Sequence, residues 1–384
     1  MASKRSWDIF CRIVDNYGDA GVCWRLARIL ATEHARSVTL WLNDPFALAR
    51  IATEVDPSRE EQHTSGVTIR HWVTPFAFAA TADVVIEAFG CGLPDTYVAA
   101  MANQPVAPVW FILEYLSAEP WVETVHGQAS PHPRLPLARR FWFPGFTVRT
   151  GGLLRERELL AQRDAFLRRT DAQNALWSAL RTPPPAADEI RVSLFCYPNV
   201  SLHALLDAWA EGQSPVSCLV PKGVVRDSLD RWTGGHVSDV GEALARGRLT
   251  LRMIPFVDQD DYDRLLWLCD INFVRGEDSF VRAQWAGRPF VWHIYPQAES
   301  AHWVKLDAFL DRFEAGMSNT SMSAVRRFWH AWNGATDAPA MAEAWRDLAA
   351  LRYAIGEHAQ SWASRLASLP ELADGLVTAA DCSV

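Results

Sequence analysis

The sequence predicts an α/β protein built from two Rossmann-like domains that face each other across a cleft. Three observations lead to this fold class. The length of 384 residues exceeds the roughly 250–300 residues at which a single core stops growing. Apolar strand-like runs alternate with helix-length segments, which is typical of a doubly wound parallel sheet. The alternation stops at a proline run after Thr182 and then begins again.

The first domain is predicted over residues 1–182. Trp7–Val14 is expected to form a strand, and Ala20–Glu33 a helix, because Leu26, Ile29 and Leu30 share one helical face. The segment from Leu153 to Leu180 has helical spacing and ends where prolines cannot continue a helix. Further strands are predicted at Val38–Leu42, Val67–Trp72, Val84–Ala88 and Val106–Ile112.

The second domain is predicted over residues 186–354, and the C-terminal helix, residues 355–384, is expected to pack back on the first domain. The chain after Ser321 has helical spacing and carries no motif that suggests catalysis. Predicted strands of this domain are Ile190–Tyr197, Val216–Val220, Leu249–Phe256, Ile271–Arg275 and Phe290–Ile294, and predicted helices are Leu202–Trp209, Asp261–Cys269, Ser279–Ala286 and Ala301–Phe313.

Composition limits the possible functions. The chain is 49% apolar and 21% charged, and its formal net charge of −8 is opposite to that of a sequence-independent nucleic-acid binder. No apolar run approaches the ~18 residues that a membrane-spanning helix needs, and no signal peptide is recognisable. The seven cysteines form no C-x-x-C pair. We therefore expect a cytoplasmic protein with reduced cysteines, bound to neither nucleic acid nor membrane.

The first candidate site is the loop from Asp15 to Asp19, directly after the first strand. Ligands of open α/β sheets bind beyond the carboxyl ends of the strands, so these two carboxylates are well placed to act as a general base. The alternative is structural: Asp19 caps the following helix, and Asp15 closes a turn around Gly18. Spacing alone leaves both open, and it favours the structural alternative.

The second candidate site lies in the second domain, where Arg275 and Gly276 join a strand to a helix. Backbone N–H groups at a helix N-terminus bind anions, so Glu277, Asp278 and Ser279 are candidates to hold a pyrophosphate. An ordinary solvated loop with an aspartate cap is the alternative. Rings at nearby strand ends are candidates to stack on a nucleobase, although core packing is an alternative for Phe256; these residues are Phe195, Tyr197 and Phe256, the last followed by Gln259.

Several chemistries have no motif in the chain. There is no H-E-x-x-H zinc motif, no G-x-S-x-G nucleophile elbow and no P-loop. The pair Gly90 and Gly92 begins like a dinucleotide-binding fingerprint, but Asp95 occupies the position of its third glycine. We therefore expect neither a metal nor a cofactor.

Segments along most of the chain resemble the protein-arginine rhamnosyltransferases that modify bacterial translation elongation factor P. Each segment alone is modest, but the combination is specific. The segments are Asp15-Asn16-Tyr17-Gly18-Asp19, Leu113-Glu114-Tyr115-Leu116-Ser117-Ala118-Glu119-Pro120-Trp121, Phe143-Pro144-Gly145-Phe146-Thr147 with Gly151-Gly152, Arg275-Gly276-Glu277-Asp278-Ser279-Phe280, and Trp292-His293-Ile294-Tyr295-Pro296-Gln297.

The resemblance implies a glycosyltransferase of the GT-B type that moves L-rhamnose from dTDP-β-L-rhamnose to one arginine of elongation factor P, with inversion. It implies that Asp19 is the general base, helped by Asp15, and that Glu277 is needed for activity. We expect Asn16, Tyr17 and Gly18 to contact the acceptor. Donor binding is implied for Phe195, Phe256, Gln259, Asp278 and Ser279, and the residues themselves suggest Tyr197 and Arg275 as well.

Two other functions remain open at this stage. One is a GT-B glycosyltransferase that uses a small-molecule acceptor, because the residues do not identify the acceptor. The other is a non-catalytic adaptor that docks on elongation factor P through an acidic N-terminal face. Modification of elongation factor P in a purified system distinguishes the arginine rhamnosyltransferase from both alternatives.

Overall fold

A computed structural model describes residues 5–14, 17–235, 239–297, 301–334 and 337–383. The chain divides into two compact units, Met1–Arg157 with Leu366–Val384, and Glu158–Arg365. These bounds differ from the predicted domains, because residues 158–182 fold with the second unit. There the Phe166 ring packs edge-on against Trp267 at 5.6 Å, and Arg163 Nη1 donates a 2.8 Å hydrogen bond to the Trp285 carbonyl.

The first unit contains a mostly parallel sheet. Within the described residues its elements are β1 (Ser6–Cys11), α1 (Gly18–Thr32), β2 (Ser37–Leu42), α2 (Pro45–Ile51), β3 (Glu61–Thr64), β4 (Val67–His71), β5 (Val84–Ala88), α3 (Asp95–Ala102), β6 (Val109–Leu113), α4 (Val122–Val125), β7 (Ala129–Pro131) and β8 (Ala138–Trp142).

The strand order of this sheet is β3-β4-β2-β1-β5-β6-β8-β7, and only the edge strands β3 and β7 pair antiparallel. The five other pairings are parallel, and the four that join predicted strands confirm the predicted parallel sheet. The strands β3, β7 and β8 were not predicted, because they are short or polar and lack the apolar run of a central strand. The first strand also ends at Cys11 rather than Val14, which leaves a longer loop before α1.

The second unit repeats the same design. Within the described residues its elements are α5 (Leu159–Leu167), α6 (Thr170–Ala179), β9 (Ile190–Leu194), α7 (Leu202–Ala210), β10 (Val216–Pro221), α8 (Arg226–Thr233), β11 (Ala243–Arg246), β12 (Leu249–Ile254), α9 (Gln259–Leu268), β13 (Ile271–Arg275), α10 (Asp278–Ala286), β14 (Phe290–His293), α11 (Ala301–Phe313), α12 (Asn319–Asn333), α13 (Ala338–Ala350) and α14 (Arg352–Ala367).

The strand order of the second sheet is β11-β12-β10-β9-β13-β14, with only β11 antiparallel. In both units the first strand lies between the second and the fourth parallel strands, β2 and β5 around β1, and β10 and β13 around β9. The chain therefore reverses its direction of winding between β1 and β5, and again between β9 and β13. Open α/β sheets bind ligands at such reversal points, beyond the carboxyl ends of the strands.

The C-terminal helix α15 (Leu372–Asp381) belongs to the first unit, where it contacts α1. Its first turn is capped by the Glu371 carboxylate, which accepts hydrogen bonds from the Ala373 and Asp374 backbone N–H groups. The two cores are rich in tryptophan, and six of the largest fully buried side chains are Trp7, Trp24, Trp209, Trp285, Trp329 and Trp332. No helix in the described ranges is both long and apolar enough to cross a bilayer.

Candidate active site

Asp19 lies in the first turn of α1, beyond the carboxyl end of β1, and only 2% of it is exposed. Its Oδ2 accepts a 2.9 Å hydrogen bond from the Val14 N–H, and its Oδ1 accepts one of 3.3 Å from the Tyr115 hydroxyl. The N-cap of α1 is Tyr17, which makes no side-chain capping bond. Asp19 is therefore not the helix cap that the structural alternative proposed; it bonds back to the preceding loop.

The neighbours of Asp19 in sequence are only partly described. Tyr17 and Gly18 begin α1 and are half-buried, and the Tyr17 carbonyl accepts the Gly21 N–H at 2.8 Å. Asp15 and Asn16, predicted as helper base and acceptor contact, lie outside the described residues. The roles predicted for Asp15 and Asn16 stay predictions.

Two further carboxylates, Glu87 and Glu114, belong to the same edge of the first sheet and were not predicted. Glu87 is on β5, buried, and its Oε1 accepts the Gly92 N–H at 3.0 Å. Glu114 follows β6 directly. Burial raises the pKa of both carboxyls, and the charge of Glu87 raises that of Glu114 further. The charge of Arg139 opposes the effect of burial on Glu87, but neither carboxyl forms an ion pair within the described residues. This edge therefore has an acidic character that suits a positively charged ligand.

Tyr115 connects this edge to Asp19. Its ring stacks on Phe89 at a centroid distance of 4.4 Å and an interplanar angle of 15°. Phe89 has a φ of 56°, a left-handed conformation that costs free energy in a residue with a side chain. The stack fixes the ring whose hydroxyl bonds to Asp19. Both residues follow strands. Tyr115 lies in one of the segments that carry the family resemblance, but the sequence assigned no role to either residue.

The predicted donor residues of the second unit come together at the carboxyl edge of its sheet. Arg275, the last residue of β13, places its guanidinium carbon 4.5 Å from the Phe195 ring centroid and 4.8 Å from that of Tyr197. The Phe195 ring is also edge-on to Phe256 at 6.2 Å. An arginine against two rings, one of which contacts a third ring, suits a ligand that has both an aromatic base and an anionic group.

The loop from Arg275 to Ser279 closes on itself. The Ser279 hydroxyl accepts the Arg275 N–H at 3.1 Å and donates to the Arg275 carbonyl, while Gly276 adopts a φ of 63°. Glu277 is the N-cap of α10 and makes no side-chain capping bond, so the aspartate cap that the structural alternative proposed is absent from this helix. The Asp278 Oδ2 accepts a 3.0 Å hydrogen bond from the Gln259 amide, which joins two predicted donor residues.

One cluster in the described ranges has the geometry of a possible metal site: His34, Glu371 and Asp374, whose ligand atoms lie within 4.8 Å of one another. The Glu371 carboxylate already accepts three backbone N–H groups, from Arg155, Ala373 and Asp374. Burial raises the pKa of Glu371 to about 8. These hydrogen bonds assign Glu371 to capping α15.

The fold itself defines the class of protein. A solved glycosyltransferase from Rickettsia africae covers 99% of this chain and 97% of its own with a TM-score of 0.53 at 8% sequence identity, a likeness that shows the fold alone. The chain thus shares with that structure a fold of two α/β domains, each built on a mostly parallel sheet.

Closer relatives identify the family. The family described as "Elongation-Factor P (EF-P) rhamnosyltransferase EarP" matches residues 7–381. A protein-arginine rhamnosyltransferase of Pseudomonas putida is 48% identical over 375 residues, 97% of this chain and 98% of the relative, and one of Neisseria meningitidis is 37% identical over 377 residues, 96% and 95%. A structure described as the "structural basis for EarP-mediated arginine glycosylation of translation elongation factor EF-P" is 37% identical, with a TM-score of 0.71 over 99% of this chain and 100% of that one. This chain belongs to the EarP family of elongation factor P rhamnosyltransferases.

Proposed function

We propose that this enzyme transfers L-rhamnose from dTDP-β-L-rhamnose to one arginine side chain of elongation factor P, with inversion at the anomeric carbon and without a metal. The observation that carries the proposal is the family match over residues 7–381. The two sheet edges support it, since one is acidic and the other joins aromatic rings to a cation.

The nucleophile is the chemical obstacle. A guanidinium has a pKa above ~12 and no free lone pair on its terminal nitrogens, so it is a poor nucleophile while fully delocalised. The carboxylate of Asp19, with Glu87 and Glu114 on the same sheet edge, provides negative charge to bind it. We assign to Asp19 the task of accepting one N–H proton as that nitrogen attacks, with Asp15 as its predicted helper.

The transfer step conserves atoms and charge. The arginine nitrogen forms a bond to the anomeric carbon, the bond from that carbon to the diphosphate oxygen breaks, and the proton passes to Asp19. The product guanidinium keeps its positive charge, and dTDP leaves with one more negative charge. Attack on the face opposite the leaving group inverts the anomeric configuration.

The leaving diphosphate needs stabilisation, and the second unit offers it. Arg275 supplies a fixed positive charge, and the N-terminus of α10 at Asp278 and Ser279 supplies backbone N–H groups and the favourable end of the helix dipole. The rings of Phe195, Tyr197 and Phe256 provide surface for the thymine base. Glu277 and Gln259 complete the predicted donor set, and we assign to Glu277 the binding of sugar hydroxyls.

The test is the intact mass of elongation factor P after incubation with this enzyme, dTDP-L-rhamnose and a metal chelator. The expected result is a gain of one deoxyhexose, which peptide mapping assigns to an arginine. Elongation factor P with that arginine replaced by lysine is the matched control and should gain nothing. An unmodified elongation factor P, with donor binding confirmed by calorimetry, would contradict the proposal and favour a small-molecule acceptor.

A further inference from the structure

His293 is a buried histidine for which the sequence analysis predicts no role. It is the last residue of β14, lies opposite Arg275 in the parallel register with β13, and is 5% exposed. This register places it at the carboxyl edge of the second sheet, beside the predicted donor residues Tyr197 and Arg275.

The protonation state of the His293 ring is set by its contacts. The backbone N–H of Tyr197 donates a 3.2 Å hydrogen bond to His293 Nδ1. Because a backbone N–H can only donate, Nδ1 carries no proton. Burial, followed by the charges of Arg275 and His302, lowers the pKa of His293 to about 4. The ring is therefore neutral at neutral pH, and its single proton lies on Nε2.

The ring is also held in orientation. It packs edge-on against the rings of Tyr197, at 5.4 Å and 73°, and Trp332, at 5.6 Å and 65°. In the part of the chain that the structure describes, His293 Nε2 has no hydrogen-bond acceptor. Nε2 is not one of the described solvent-shielded atoms that lack a partner, so it reaches solvent although the residue is buried. An N–H donor that is held in orientation and open to solvent beside the predicted donor residues is available to a ligand.

We propose that His293 binds the nucleotide sugar directly, donating a hydrogen bond from Nε2–H to a phosphate oxygen of its diphosphate. This inference rests on the proposed function and deepens it. Arg275, the register partner of His293, and the N-terminus of α10 both favour an anion at this edge. A neutral donor adds a directed hydrogen bond there without placing a second positive charge beside Arg275. The competing role is purely structural: the ring only holds Tyr197 in place through Nδ1.

Two substitutions separate these roles. In His293→Asn the amide oxygen can still accept the Tyr197 N–H, but no group reaches the position of Nε2. In His293→Gln the amide nitrogen can reach the position of Nε2, but the acceptor at Nδ1 is lost. Calorimetry with dTDP should show a dissociation constant raised about tenfold or more by His293→Asn and about threefold or less by His293→Gln. Thymidine, which has no phosphate, should bind both variants as it binds the wild type.

The opposite order, with Gln impaired and Asn normal, would overturn the inference and assign His293 to positioning Tyr197. If both variants unfold, nitrogen-15 NMR of the wild-type imidazole replaces them: adding dTDP should shift the Nε2 signal, and an unchanged signal would equally overturn it. Failure of the donor assignment in the proposed function looks different, because the wild-type enzyme itself would then bind neither dTDP nor dTDP-rhamnose.

Discussion

The first six strands of each unit have the same order, but the carboxyl edges of the two sheets carry side chains of opposite charge. At the carboxyl edge of the first sheet lie Asp19, Glu87 and Glu114. At the corresponding edge of the second lie Arg275 and the rings of Phe195 and Tyr197. Since the strand frameworks match, the difference comes from the side chains at the strand ends. Under the proposed function, the two units divide the tasks of a two-substrate transfer, with the cationic acceptor assigned to the acidic edge and the anionic donor to the edge that carries Arg275.

The largest expected effect comes from removing the negative charge of Asp19 at the carboxyl edge of the first sheet. In Asp19→Asn the amide oxygen can still accept hydrogen bonds, but the residue can no longer accept a proton, so turnover should fall by about 10²–10⁴-fold. Affinity for dTDP-rhamnose should stay within about twofold, because the donor residues belong to the second unit. Rhamnosylation of elongation factor P followed by mass spectrometry, together with calorimetry, measures both.

The matched control is Asp83→Asn, which removes one negative charge at the opposite edge of the same sheet. Asp83 Oδ2 accepts hydrogen bonds from the Ser6 N–H and hydroxyl, and an amide oxygen can replace it. Near-normal turnover of Asp19→Asn would contradict the proposal that Asp19, at the carboxyl edge of the first sheet, accepts a proton from the acceptor arginine.

The second largest effect is expected for Arg275, at the carboxyl edge of the second sheet, where the predicted donor residues lie. Arg275→Met removes the positive charge between the rings and should weaken dTDP binding about 10–100-fold, the range for a lost hydrogen bond to a charged group. Arg275→Lys keeps the charge but not the planar stack, so an intermediate loss is expected. Arg191→Met is the control, since Arg191 pairs with Asp270 at the other end of the sheet. Equal losses in the Arg275 and Arg191 methionine variants would mean that the effect is general destabilisation.

Part of this comparison could be predicted from the sequence and part could not. The central strands were predicted because continuous apolar runs mark buried parallel strands, and the segments around Asp19 and Arg275 stood out because they follow such runs. Residues 158–182 were assigned to the wrong compact unit, because an amphipathic helix does not reveal which core it covers. Glu87, Tyr115 and His293 were missed for a related reason: each is a single polar or aromatic residue whose meaning depends on neighbours from other strands.

The two units also differ in how they keep carboxylates buried. Asp263 in the second unit pairs with Arg282, whereas Glu371 in the first has no cation in salt-bridge contact within the described ranges. Because burial raises the pKa of Glu371 to about 8, its contribution to stability is full below its unfolded-state value near 4.5 and is lost as pH rises through 8.

The raised pKa of Glu371 predicts that the free energy of unfolding depends on pH above neutrality. Between pH 7 and pH 9 the wild-type free energy of unfolding should fall by about 1.4 kcal/mol more than that of Glu371→Gln, which cannot ionise but can still cap α15. Urea unfolding at the two pH values measures this difference. Parallel pH dependence in the two proteins would show that Glu371 is ionised in the folded enzyme throughout this range.

The smallest expected effect tests whether the Tyr115 hydroxyl orients Asp19, the proposed base. In Tyr115→Phe the ring keeps its stack on Phe89 but loses the hydroxyl that donates to Asp19 Oδ1. The 3.3 Å length indicates a weak bond, worth about 0.5–1 kcal/mol, so activity at neutral pH should fall only about two- to fivefold. Tyr115→Ala, which also removes the stack, should lose more. If Tyr115→Phe keeps full activity, the Tyr115 ring supports the Phe89 turn and its hydroxyl has no influence on Asp19.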